Sequence, residues 1–102
     1  MFGVETRFKK HRWTFNRIDG KIQARHSEWM DYVSVPFDPL QDEIIGIKLD
    51  NIKGFLEFSI NGVDQGVAFQ HEALRGEGLY VFTSVDNEDV KIKILGLQDF
   101  IY

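Results

Sequence analysis

The stretch from Ile44 to Phe69 constrains the fold more than any other part of the chain. Ile45, Ile47 and Leu49 alternate with Ile44, Gly46 and Lys48, the two-residue period of a strand with one apolar face. Asp50-Asn51-Ile52-Lys53-Gly54 follows as turn chemistry, with Gly54 suited to a positive φ. A second strand, Phe55 to Ile60, places Leu56, Phe58 and Ile60 on one face. Asn61-Gly62 then predicts a two-residue type I′ turn, because that turn needs a positive φ twice. The return strand runs from Val63 to Phe69, and Gly66 inside it predicts a bulge or bend.

The rest of the chain repeats the pattern of short strands bounded by turn residues. Phe2 to Thr6, Arg12 to Asn16, Lys21 to Arg25 and Tyr32 to Phe37 read as strands, with Asp19-Gly20 as a hairpin turn. Ser27 to Met30 could start one helical turn, as could His71 to Arg75 before Gly76. Leu79 to Val85 reads as a strand and Asp86-Asn87-Glu88-Asp89 as a polar turn. In the closing strand Val90, Ile92 and Ile94 alternate with Lys91, Lys93 and Leu95, and Gly96 ends it. About eight short strands at this spacing predict an all-β antiparallel sandwich or barrel, of which the sandwich is the expected form.

Composition narrows the function classes. The 102 residues are 43% hydrophobic and 27% charged, the balance of a globular chain, and predict one domain over 1–102. No run approaches the roughly 18 apolar residues of a membrane span. The N-terminus lacks the basic start and apolar core of a secretory signal. There is no cysteine, hence no disulfide framework, thiolate nucleophile or cysteine-based zinc site, and the expected location is the cytosol or nucleus. A net charge of −4 argues against general affinity for nucleic acid or anionic lipid.

The order Ile44-Ile45-Gly46-Ile47-Lys48-Leu49-Asp50, Lys53-Gly54-Phe55-Leu56-Glu57-Phe58, Asn61-Gly62 and Gly66-Val67-Ala68-Phe69 resembles the central motif series of SPRY domains. Leu79-Tyr80 with Ser84, and Val90 to Gly96, resemble the family's later strands. Trp13, Gly20-Lys21-Ile22 and Phe2-Gly3-Val4-Glu5-Thr6 sit where the family has earlier ones. Thr14 stands where a glycine is usual and Val81 where a proline is usual, and the family's opening strands have no counterpart. The resemblance implies a bent two-sheet sandwich of SPRY, concanavalin-like type, in a partial form. That form could close alone, or leave an open edge for a second copy or another chain. It also implies peptide or protein recognition through loops, with Val85, Asp86 and Asn87 as contact residues and Arg7 and Phe8 in the loop after Thr6 as a second group.

Read without the resemblance, these residues have blander roles. Arg7, Lys9, Lys10, His11 and Arg12 form the one basic run, suited to an acidic peptide or phosphate, although a solvated loop is the default for such residues. Asp86 to Asp89 offers oxygen ligands without the spacing of a calcium loop. Trp29, Met30 and Tyr32 either fill the core or form an exposed anchor, with burial the favoured reading. His11, His26 and His71 have no metal-ligand spacing. The serines lack a nucleophile-elbow setting, and Glu57 lacks the paired carboxylate that glycoside hydrolysis needs. The expectation is a non-enzymatic protein-interaction module with no cofactor and no metal. The rivals are a lectin-like carbohydrate binder with exposed aromatics at Trp13, Trp29 or Phe55, and a half-domain completed by another chain.

Overall fold

A computed structural model describes residues 1–6, 10–38, 40–76 and 78–84. Within them the chain forms eight strands: β1 (Phe2–Thr6), β2 (Arg12–Asn16), β3 (Lys21–Ala24), β4 (Met30–Asp31), β5 (Ile45–Asp50), β6 (Phe55–Ile60), β7 (Val63–Gln70) and β8 (Leu79–Thr83). Every pairing is antiparallel. One sheet has the order β4-β3-β2-β1-β8 and the other β5-β6-β7. The described helical content is a single 3-10 turn, Glu72–Arg75, so no described helix is long and apolar enough to cross a membrane.

The three-stranded sheet follows the sequence pattern. Ile45, Ile47 and Leu49 stand opposite Ile60, Phe58 and Leu56, so the alternating apolar residues of β5 and β6 share one face. Asn61 and Gly62 take φ of 51° and 82°, both positive as a type I′ turn requires. The register of β6 against β7 shifts twice, between Leu56 and Glu57 and between Glu57 and Ser59, which is the irregularity that Gly66 foretold. In the larger sheet Phe2 pairs with Phe15 and Val4 with Trp13, while Phe15 also pairs with Ile22. The core draws on both sheets: Val4, Trp13, Phe15 and Ile22 from one, Leu56, Phe58, Ile60 and Phe69 from the other, with Leu74 of the 3-10 turn closing it. Phe15 and Phe58 meet across the layers with ring centroids 4.9 Å apart. The result is an all-β, sandwich-like arrangement of two antiparallel sheets.

Two local expectations need correction. Tyr32 to Phe37 is not a strand, and the short strand is Met30–Asp31, paired with Ile22 and Lys21. The backbone bonds of the segment go elsewhere. The N–H groups of Tyr32 and Val33 both donate to the Gly20 carbonyl, and the Val35 and Pro36 carbonyls accept from Arg17. Pro36 has no N–H to give a ladder. Nor does Ser27 to Met30 begin a helical turn. The Ser27 N–H donates to the Ala24 carbonyl, His26 takes a φ of 65°, and the chain turns tightly from β3 into β4. The single helical turn expected at His71 to Arg75 forms as the 3-10 turn Glu72–Arg75, and the turn at Asp19-Gly20 forms as well. Val85 to Gly96, with its polar turn and closing strand, lies outside the described residues.

Candidate functional site

Arg7, Phe8, Val85, Asp86 and Asn87, the contact residues that the family resemblance implies, lie outside the described residues. Their described neighbours are placed clearly. Thr6 pairs with Leu79 at one end of the β1–β8 ladder, while Phe2 pairs with Thr83 at the other, where Ser84 and Met1 exchange backbone hydrogen bonds. Thr6 and Ser84 therefore stand at opposite ends of the larger sheet.

The Thr6 end carries an assembly that the sequence does not announce. The His11 N–H donates to the Thr6 hydroxyl at 2.9 Å, and the Thr6 N–H returns a bond to the His11 carbonyl at 2.9 Å, pinning the start of β2. This holds the His11 ring parallel to the buried Trp13 ring, with centroids 5.8 Å apart and planes 10° apart. His71, sixty residues further on, brings its ring to 4.9 Å from His11 and 5.8 Å from Trp13. The position of His71 is fixed by its backbone. Its N–H donates to the Gly54 carbonyl, and its Nδ1 accepts from the Ala73 N–H at 2.9 Å, capping the 3-10 turn. A neutral His71 must then carry its proton on Nε2, which leaves that nitrogen as a donor.

Around this stack, Lys53, Gln70, His71, Glu72 and Arg75 line an open depression of about 410 Å³. All five are exposed. Among the described residues the ion pairs are Arg12–Glu5 and Arg17–Glu43, and neither involves Lys53 or Arg75. Of the basic run, Lys10 is exposed, as the solvated-loop reading expects. Arg12 is committed: its guanidinium lies 4.0 Å from the centroid of the Phe82 ring and 3.7 Å from Glu5. His11 is not solvated but half-buried against aromatic rings.

Two histidines meet, but among the described residues no group of three or more His, Asp or Glu side chains is placed to hold a metal ion. The aromatic stretch divides rather than burying as a unit, which corrects the favoured reading. Trp29 and Met30 are exposed at 39% and 50%, whereas Tyr32 turns inward. The Tyr32 ring packs edge-on against Phe15 and Phe58, and its hydroxyl donates to the Gly66 carbonyl and accepts from the Phe58 N–H. Burial raises its pKa above the usual tyrosine value, and the Glu57 and Asp64 carboxylates push the same way, against the opposing bond from Phe58.

At the opposite end Arg17, only 4% exposed, is the residue that sequence reasoning missed. Its guanidinium binds Glu43 through two bonds, of 2.6 and 3.0 Å, and donates to the carbonyls of Val35 at 2.8 Å and Pro36 at 3.2 Å. One side chain thus satisfies two carbonyls of a connection that has no ladder of its own. Nothing in the turn Arg17-Ile18-Asp19-Gly20 distinguishes this arginine from a solvated one.

No family model, no curated protein and no solved structure matches this chain. The reading of the site therefore rests on its geometry.

Proposed function

We propose that the chain is a non-enzymatic protein-interaction module of SPRY type, a concanavalin-like sandwich whose loops recognise a peptide or protein partner. The observation that carries this reading is the depression at the Thr6 end. Its residues come from the β5–β6 turn, the end of β7 and the 3-10 turn, and the β1–β2 connection abuts it through His11. Segments remote in sequence are gathered by a packed two-sheet core, so the ordering cost of a recognition surface is met during folding rather than at binding. The chemistry on offer is hydrogen bonding and charge at exposed side chains, which suits recognition. The order of motifs from Ile44 to Phe69, now seen as β5, β6 and β7 with their turns, supports the family assignment.

The test sets peptide against sugar. The immobilised chain is panned with a random peptide display library and, separately, probed on a glycan array with and without calcium. The expected result is a peptide consensus and a blank array. Glycan retention without peptide enrichment would replace this reading with a lectin-like one, for which exposed Trp29 is the natural platform.

A further inference from the structure

The charges of this protein are divided between the two ends of its sheets. The Thr6 end carries Lys10, Arg12, Arg25, Lys53 and Arg75 together with all three histidines, against Glu5, Glu28, Asp50 and Glu72. Two of those acids are already engaged. Glu5 pairs with Arg12, and an Asp50 carboxylate oxygen accepts the backbone N–H groups of Ile52 and Lys53. The opposite end gathers Asp19, Asp31, Asp38, Asp42, Glu43 and Asp64 around the β2–β3 turn, the Arg17-bound connection and the start of β7, against Lys21 and the Arg17 that Glu43 holds. The chain is acidic overall, at −4, yet the ion pairs among the described residues engage neither Lys53 nor Arg75, which share their depression with one carboxylate, Glu72.

We infer that the depression lined by Lys53, Gln70, His71, Glu72 and Arg75, with the His11 ring against His71, is a docking face for an anionic peptide segment of a protein partner. The inference rests on the reading of the chain as an interaction module and names the class of partner. Lys53 and Arg75 supply charge on two rigid turns. The His71 ring, held by its bond from Ala73, keeps Nε2 as a donor in the same lining when the imidazole is neutral. Such a face attracts carboxylates or phosphates over a Debye length and orients them by hydrogen bonds at contact. The acidic opposite end repels the same ligand, so binding has a preferred side. Nucleic acid fits less well, because the negative charge of the whole chain opposes a long polyanion.

The probes are a fluorescein-labelled glutamate-rich peptide, its phosphoserine counterpart, a lysine-rich peptide of the same length and an oligothymidylate, titrated by anisotropy at low salt. Both anionic peptides should bind and the lysine peptide should not. The double variant Lys53→Glu, Arg75→Glu should bind about tenfold more weakly or worse, with an unchanged melting temperature because both side chains are exposed. The control Lys21→Glu, at the opposite end, should bind as the wild type does. In a Trp29→Phe background, emission from Trp13 should change on binding, since His11 and His71 both lie against its ring. A phosphoserine peptide bound tighter than the glutamate one, with the same loss in the double variant, supports the face and identifies phosphate as its anion. Equal binding to wild type and double variant overturns the inference, as does oligothymidylate binding as tightly as either peptide. If library-derived peptides bind both proteins equally, the module reading stands and only this face falls.

Discussion

Tyr32 shows how much one side chain can join. It is the edge-on neighbour of Phe15 in one sheet and Phe58 in the other, and its hydroxyl reaches the backbone of β6 and β7. Sequence alone offers an aromatic among aromatics here. Nothing in Trp29-Met30-Asp31-Tyr32 says that the last turns in while the first two stay exposed, since that depends on where Gly20 holds the backbone. The same is true of His11 and His71, whose contact is purely tertiary. The raised pKa of Tyr32 has a consequence for stability, because the folded state holds the phenol's proton more tightly than the unfolded chain does. The unfolded group titrates near 10, so the contribution is full below about pH 10 and is lost as pH rises through the higher folded value. Tyr32→Phe should therefore cost about 1 kcal/mol near neutrality, from the lost hydrogen bonds. In urea melts the gap between wild type and variant should narrow above about pH 10, where only the wild type has a phenol at this site to ionise. A gap independent of pH would show that folding does not raise the pKa of this phenol.

At the scale of elements, β1 and β2 form over the same residues that the pattern predicts, and β5 to β7 differ from it by no more than a residue at their ends. Each has a two-residue period bounded by turn chemistry, and these local rules suffice. The connection from Tyr32 to Ile44 was illegible for the converse reason. From Tyr32 to Pro36 its backbone bonds go to Arg17 and Gly20, which are remote in sequence, so no local rule reveals them. Glycines separate the two kinds of constraint. A Cβ built on Gly3 would lie 2.1 Å from the Trp13 carbonyl oxygen and 2.7 Å from the Phe82 ring. That carbonyl belongs to β2 and cannot retreat without breaking the β1–β2 ladder. Gly62 meets nothing within 4 Å, and a side chain there suffers only the strain of φ at +82°. Gly3→Ala should destabilise by about 2–3 kcal/mol, as overpacking does, and Gly62→Ala by about 1 kcal/mol. Comparing the urea midpoints of the two variants checks the order. A larger loss at Gly62 would mean that the hairpin turn, not the close approach of two strands, is the more demanding constraint.

For the molecule as a whole, composition conceals what topology arranges. The net charge predicts an acidic surface, yet the described acids outnumber the bases only at the end away from Thr6, while the Thr6 end is nearly balanced. The core has the reverse character, since both sheets contribute to it and neither keeps an apolar reserve of its own. Within each sheet, backbone ladders hold the strands. Between the sheets, the described contacts are chiefly side-chain packing, with Phe15 against Phe58 at the centre and the Tyr32 hydroxyl as a polar tie. Three strands with one apolar face have little stability when that face is wet, so each sheet depends on the other. Phe58 is fully buried, and Phe58→Ala should cost about 3–5 kcal/mol. That is a large part of the roughly 5–15 kcal/mol available to a domain of this size. The loss should appear in both sheets at once. With Trp29→Phe as background, emission from Trp13 reports the larger sheet and far-UV circular dichroism reports both. Their melting midpoints should fall together, although the substitution lies in the smaller sheet. If Trp13 emission kept its original midpoint while the dichroism melted early, the sheets would be separable units. The depression at the Thr6 end, which meets the larger sheet through His11, would then come apart before that sheet unfolds.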